Sequence, residues 1–323
     1  MFQDAHARRI GYLRLSLTKA CAMRCTYCRP ATLTHPRGEA MLSADEIDAL
    51  VRHLAANHGL HKVRLTGGDP TSRPELTDII RRVAGVPGIT DLAMTTNGLT
   101  LPHRACEYAA AGLHRINLSL DTLDPQRFAR LTGVDGLARV LAGLDAAEAA
   151  GLAPIRINTV VVRDQNERDL PSLVRFAASR GFEVRFIELM PMGPLADQLA
   201  DRYVPEAQMR ARLDPIVDHW QPLEQGHDAA RRYRVTLDNG QRATVGFITP
   251  MSCNFCAACN RIRVAADGVL YPCLMDEPAH SLLPALRPRF DADHLDELIA
   301  AGLAGKRAEH PHDGFVVMTH IGG

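Results

Sequence analysis

No run of apolar residues in this chain is long enough to span a bilayer. Its N-terminus, MFQDAHARRIGYLRLSL, lacks both the apolar core and the small-residue cleavage site of a signal peptide. Neither charge is in excess: 37 Lys and Arg face 37 Asp and Glu, so the balance favours neither nucleic acid nor an anionic membrane as partner. There is no low-complexity tract. These absences predict a cytoplasmic protein with no membrane and no nucleic-acid partner. In a reducing compartment its eight cysteines point to metal binding or catalysis rather than to disulfides. What is present suits a folded globular protein: 323 residues with 46% apolar and 23% charged side chains, enough for one large or two modest domains.

The stretch LTKACAMRCTYCRP carries Cys21, Cys25 and Cys28 in the order C-x3-C-x2-C and has no fourth cysteine nearby. Three thiolates can hold three irons of a 4Fe–4S cube and leave the fourth open to a ligand. A structural zinc site would instead need a distant fourth ligand, and zinc motifs usually show two paired knuckles. The second group, SCNFCAACNRIRVAADGVLYPC, carries Cys253, Cys256, Cys259 and Cys273. Four of these could close a zinc or iron–sulfur site, and three could hold a second open cluster. Arg261 and Arg263 alternate just beyond Cys259, so both project to one side of an extended segment. They suit phosphate recognition, with a solvated surface pair as the plain alternative. Cys106 stands alone in a helical stretch and is expected to be a small core residue. None of the fourteen histidines pairs at metal spacing with the cysteines, and HPHDG at 310 is expected at the surface.

Between the cysteine groups, short β-rich runs alternate with amphipathic helices. The expected strands are 12–18, 62–67, 91–98, 115–121, 155–162 and 183–191. Ser43 and Glu46 read as a capping box, and Asp124–Pro125 as an N-cap with proline at the first helical position. A third helix covers GLARVLAGLDAAEAAG and stops at Gly151. Six β-α units imply a parallel sheet with helices outside, in an α/β fold. Six rather than eight suggests a partial barrel whose site lies at the strand C-termini, where the first cysteines, TGGDP and TTNG all fall. Residues 192–230 read as an irregular boundary segment. An alternating hairpin around Asn239–Gly240 follows, then a helix near 291–304.

C-x3-C-x2-C with Tyr27 before its last cysteine resembles the radical S-adenosylmethionine (SAM) enzymes. More narrowly, the chain resembles the GTP 3′,8-cyclase family of molybdenum cofactor biosynthesis through LRLSLT, TTNGL, NLSLDTLDP, RFIE-x-MPMG, the late FC-x2-CNR-x-R block and the terminal Gly-Gly. The resemblance implies a partial (β/α)6 barrel of the radical SAM type over 1–191. A C-terminal region, 192–323, would carry a second iron–sulfur cluster and cover the barrel opening. It implies two 4Fe–4S clusters and SAM as cofactors, the first cluster on Cys21, Cys25 and Cys28, the second on Cys256, Cys259 and Cys273, with Cys253 spare. Tyr27, Gly68, Ser119 and Met190 fall where the family contacts SAM. Arg14, Arg64, Thr95, Arg156, Arg261, Ile262 and Arg263 fall at GTP-binding positions, and Arg14, Gly322 and Gly323 are the catalytic candidates. Asp69 stands where the family usually has Glu, and Arg156 where it has Lys. The implied reaction is abstraction of the ribose 3′ hydrogen of GTP by a 5′-deoxyadenosyl radical, then attack on C8 of guanine. Implied partners are an electron donor such as flavodoxin or ferredoxin and a downstream cyclic pyranopterin monophosphate synthase, with the chain itself a monomer or homodimer.

Two rivals remain on the sequence. One is another radical SAM enzyme with an auxiliary cluster, such as a peptide-modifying maturase. The other is a non-catalytic metal or electron-transfer protein, for which TGGDP and the arginine pair would have no use.

Overall fold

The computed structural model describes residues 1–29 and 41–310. Within them the six expected strands form: β1 Tyr12–Ser16, β2 Lys62–Thr66, β3 Asp91–Thr96, β4 Arg115–Ser119, β5 Arg156–Val161 and β6 Glu183–Glu188. Each is followed, before the next, by helix: α1 Ala44–His58, α2 Leu76–Ala84, α3 Leu101–Ala110, α4 Pro125–Thr132, α5 Leu137–Ala149 and α6 Leu170–Arg180. Ser43 Oγ accepts from Glu46 N–H at 3.1 Å while the Glu46 carboxylate accepts from Ser43 N–H at 2.7 Å, which closes the capping box of α1. Asp124 caps α4 by accepting from Arg127 N–H at 2.7 Å. On α1 the buried residues are Ile47, Leu50, Val51 and Leu54, one stripe at helical spacing.

All strands lie in one sheet of order β11-β10-β1-β2-β3-β4-β5-β6-β9-β8-β7, where β7 is Val217–Pro222, β8 Arg231–Leu237, β9 Arg242–Ile248, β10 Arg261–Val264 and β11 Leu270–Tyr271. The expected hairpin is β8–β9, with Gly240 in its turn at φ +78°. Two pairings were not legible in the sequence. β9 joins β6 in parallel, and β10 joins β1 in parallel. The parallel run therefore extends to β10 on one side and β9 on the other, while β11 and β7 end the sheet without pairing to each other. The result is a partial barrel, open along one side.

Strand alternation sorts the chemistry. Leu13, Leu15, Val63, Leu65, Leu92, Met94, Ile116 and Leu118 are fully buried in one core with the helix stripes. Arg14, Arg64 and their polar neighbours on the same strands face the other way, into the barrel. Residues 192–230 are more ordered than their composition suggested. They hold a helix, Glu206–Leu213, and the edge strand β7. The helix is short and polar, and β7 is largely exposed and ends in proline, so neither gives a strong periodic signal. Cys106 is exposed rather than a core residue: Ala105 and Tyr108 take the buried face of α3. The late helix forms at Ala292–Ala304, capped by Asp291. Among the described residues no helix is long and apolar enough to cross a membrane.

Candidate active site between two cysteine groups

The first cysteine group lies in the loop after β1. That loop is held from two sides. Arg24 N–H donates to Thr132 O at 2.7 Å and Thr26 N–H to Leu131 O at 2.9 Å, at the end of α4. Gly68 N–H donates to Thr18 O at 2.7 Å and Asp69 N–H to Ala20 O at 2.8 Å. A Cβ on Gly68 would lie 2.5 Å from the carbonyl oxygens of Lys19 and Ala20, so only glycine lets the second loop approach the first this closely. The Asp69 carboxylate turns inward, accepting from Thr71 N–H at 2.9 Å, Thr96 Oγ1 at 3.0 Å and Asn97 N–H at 2.6 Å. Asn97 in turn reaches Cys21 Sγ at 3.6 Å. The buried Asp69 is thus spent on holding the TTNG turn beneath the cysteine loop.

Burial raises the pKa of Cys25 and Cys28, and the charges of Asp121 and of the neighbouring cysteines raise it further; Cys28 is pushed up to about 12. Three thiols so close that Cys25 feels both of the others, next to a buried carboxylate, are a poor place for free thiolates. They are a good place for a cationic metal core. Tyr27 is buried and donates its hydroxyl proton to Asp121 Oδ2 at 2.7 Å. Burial raises Asp121 to about 6 despite that bond and the Val160 N–H.

The second group has Cys253, Cys256 and Cys259 between β9 and β10, and Cys273 just after β11. Its loop is tied to the end of β6 by Glu188. That buried carboxylate accepts from Met251 N–H and Ser252 N–H, each at 3.0 Å, from Ser252 Oγ at 2.5 Å and from Tyr203 Oη at 2.9 Å. Cys256 feels Cys273 and Cys259, so these three thiols share one neighbourhood. Burial pushes Cys259 up, but Arg261 and Lys306 outweigh it and bring the thiol down to about 6. Cys253 is exposed and bonded to Arg231. The donor set therefore fits a three-thiolate cluster better than a closed four-cysteine site.

One cavity is lined by residues beside both groups. Tyr27, next to Cys28, lines one part, and Phe255 and Arg261, next to Cys256 and Cys259, line another. Parallel register builds its wall in rows. Arg261, Tyr12 and Lys62 are paired across β10, β1 and β2, and Arg263, Arg14 and Arg64 form the next row. Arg156 and Arg185 complete the cationic lining on β5 and β6. Among these cations, Lys62 pairs with Asp91 at 3.1 Å, Arg185 forks onto Asp228 at 2.7 and 3.0 Å, and Arg156 reaches Glu183 at 3.3 Å. The Arg261 guanidinium stacks on Phe255 at 4.5 Å. Burial, then crowding by Arg14 and Arg115, pulls Arg64 down to about 9, and its Nε has no acceptor among the described residues. The cavity holds more cations than carboxylates and suits a polyanion.

Of the residues named from sequence, Arg14, Tyr27, Arg64, Arg156, Met190, Arg261 and Arg263 line this cavity. Thr95 lies on the adjoining strand, with its hydroxyl buried and lacking a hydrogen-bond partner among the described residues. Ser119 ends β4, opposite Asn158. The Ile262 side chain points away, into the hydrophobic core between those of its arginine neighbours. Gly322 and Gly323 lie outside the described residues. His310 is buried, not at the surface: its Nε2 lies 2.7 Å from Pro250 O, whereas the rest of HPHDG is outside the described residues. Sequence reasoning missed Tyr12, Lys62, Asn158, Arg185 and Asp228. The available signal was that residues two apart from Arg14 and Arg64 on their strands share the inner face.

A family profile described as the Radical SAM superfamily matches residues 15–177, and one described as Molybdenum Cofactor Synthesis C matches residues 182–312. The GTP 3′,8-cyclase of Pelotomaculum thermopropionicum is 43% identical over 314 residues, covering 95% of this chain and 94% of that protein. That of Moorella thermoacetica is 38% identical over 314 residues, with the same coverage of 95% and 94%. Among solved structures, Streptococcus suis SuiB bound to its precursor peptide SuiA aligns with 95% of this chain and 76% of that one, at a TM-score of 0.63 and 14% identity, a likeness of fold.

Proposed function

Because the chain belongs to the GTP 3′,8-cyclase family of radical SAM enzymes, we propose that it converts GTP to (8S)-3′,8-cyclo-7,8-dihydroguanosine 5′-triphosphate. This is a lyase-type cyclisation and the first step of molybdenum cofactor biosynthesis. The observation that carries it is a cavity lined by rows of cations and by residues beside both cysteine groups, Tyr27 next to Cys28 and Phe255 next to Cys256.

Cys21, Cys25 and Cys28 would hold one 4Fe–4S cluster, and Cys256, Cys259 and Cys273 the other. When bound, the first cluster with SAM would supply radical chemistry for hydrogen abstraction from the ribose 3′ position, and the second would supply an open iron for guanine. The remaining work belongs to side chains. Arg14, Arg64, Arg261 and Arg263 offer forked donors to the triphosphate from adjacent strands, and Lys62 adds a point charge. Arg156 supplies the charge that a lysine gives elsewhere in the family. Thr95, whose hydroxyl still needs a partner, faces the substrate in this reading, and Ile262 contributes through its backbone alone. Tyr27, Gly68, Ser119 and Met190 are assigned to SAM. For Tyr27 the role is through main chain and ring, since its hydroxyl is committed to Asp121. Arg14 with Gly322 and Gly323 completes the proposed catalytic set. Residues 1–191 would form the SAM-cleaving part and 192–323 the part that receives the purine.

The enzyme would act in the cytoplasm, take electrons from a flavodoxin or ferredoxin, and pass its product to a cyclic pyranopterin monophosphate synthase. The decisive test is an anaerobic incubation of reconstituted protein with reductant and SAM, with and without GTP. GTP-dependent 5′-deoxyadenosine together with a cyclised nucleotide is expected. Release of 5′-deoxyadenosine that ignores GTP, with no nucleotide product, would overturn the substrate assignment.

A further inference from the structure

The N-terminal residues form a tight turn before β1 whose purpose is not obvious from the barrel. Asp4 Oδ1 accepts from His6 N–H at 2.9 Å and from Arg8 N–H at 3.0 Å, while Oδ2 pairs with Arg8 Nε. Both side chains are buried, Arg8 at 9% and Asp4 at 7% exposure. The turn is completed by Ala7 at φ +59°, a left-handed conformation that a non-glycine residue adopts only when its surroundings impose it. With Nε held by Asp4, the two ends of the Arg8 guanidinium are aimed at backbone from the far end of the chain. Nη1 donates to Cys256 O at 2.8 Å and to Ala308 O at 3.0 Å, and Nη2 donates to Arg307 O at 2.6 Å.

The same terminal segment grips the second cysteine group at other points. Lys306 Nζ donates to Arg261 O at 3.2 Å and to Pro272 O, just before Cys273. The backbone N–H of His310 bonds to the Cys256 sulfur. The main chain on either side of the three thiols is therefore fastened to residues 306–310, and Arg8 fastens both to the start of β1.

We infer that Arg8 is a positioning residue that locks the loop of Cys256, Cys259 and Cys273 and the segment 306–310 into one unit, so that the second centre and that segment are fixed together. The inference rests on the proposed assignment of those three cysteines to a cluster. A planar fork is required, because one carboxylate and three carbonyls are met in fixed directions; an ammonium in the same place offers three donors with no such plane. Asp4 aims the fork, and Ala7 sets the turn that brings Asp4 back to it.

The test uses the full chain with Arg8→Ala and Arg8→Lys. Arg8→Lys keeps a charge beside Asp4 and serves if Arg8→Ala does not fold. Amide hydrogen exchange on protein without iron reads the lock directly. Exchange in residues 256–261 and in 306–308 should rise together by about tenfold or more, as local opening of one cooperative unit requires, while α1 and α5 keep their wild-type rates. Unchanged exchange in either segment would overturn the inference. A second reading uses reconstituted protein lacking the first centre through Cys21→Ser, Cys25→Ser and Cys28→Ser. Adding Arg8→Lys should lower the iron held by the second centre and alter its electron paramagnetic resonance spectrum; wild-type iron content with an unaltered spectrum would count against a positioning role. Neither readout needs GTP. If wild-type protein makes no cyclised nucleotide, the substrate assignment falls while the lock is still decided by exchange.

Discussion

Ala7 shows how a single residue can carry strain for its neighbours. An L-residue in the left-handed region is disfavoured by about 1–2 kcal/mol, and the Asp4–Arg8 pairing holds Ala7 there. Ala7→Gly is expected to raise stability by about 1 kcal/mol, visible as a higher denaturant midpoint; a lower midpoint would show that the turn gains from the methyl group. Tyr12 is a second case. Burial alone would raise its phenol, but Arg64, Arg14, Lys62 and Arg261 surround it and bring it down to about 7. In the unfolded chain it ionises near 10. The folded pKa is the lower one, so this group stabilises the fold increasingly from about pH 7 to about pH 10, and that contribution is lost as pH falls through about 7. Difference absorbance of wild type against Tyr12→Phe should show one tyrosine ionising near neutrality. Binding of GTP, which would neutralise the same cations, should move that ionisation upward. Absence of any tyrosinate below about pH 9 would contradict this picture of the cavity.

At the scale of the element, β6 does more than end the six-strand series. Its last residue, Glu188, accepts hydrogen bonds from the loop that leads to the second cysteine group and from Tyr203, and Glu206 N–H adds one at 3.2 Å. Such charge-assisted bonds contribute about 1.5–3 kcal/mol each before desolvation is subtracted. Glu188→Gln turns an amide N–H₂ toward groups that donate. It is expected to cost about 2–3 kcal/mol in urea unfolding and to lower the iron retained by the second centre, leaving the first unaffected. Equal retention of iron at both centres would show that the loop holds its shape without the carboxylate.

For the whole molecule, the two cysteine groups should be separable in function because separate segments carry them, the first after β1 and the second from the end of β9 to just past β11. Cys21→Ser is expected to abolish SAM cleavage, and full cleavage in that variant would remove the first group from the mechanism. Arg261→Ala should weaken GTP binding by about 1–3 kcal/mol, the range for losing a hydrogen bond to a charged group. Calorimetry on reconstituted protein would read it directly, and unchanged affinity would show that the stack on Phe255 is the whole of its role.

The sequence by itself determined the six β-α units, the caps at Ser43 and Asp124, the grouping of the cysteines and, through motif resemblance, the family. These depend on neighbours a few residues apart, where spacing and local hydrogen bonding decide the outcome. Tertiary structure alone decided that β9 and β10 join opposite edges of the sheet, since nothing in a strand's own residues names its partner. That register turned Lys62, Tyr12 and Arg185 into cavity residues beside the arginines already singled out. It also decided that Ile262 faces the core while its neighbours face the cavity, that Asp69 is consumed by the TTNG turn, and that Cys106 is exposed. Arg8 is the extreme case: its carbonyl partners lie 248 to 300 positions away, a distance at which only the folded chain brings donor and acceptor together.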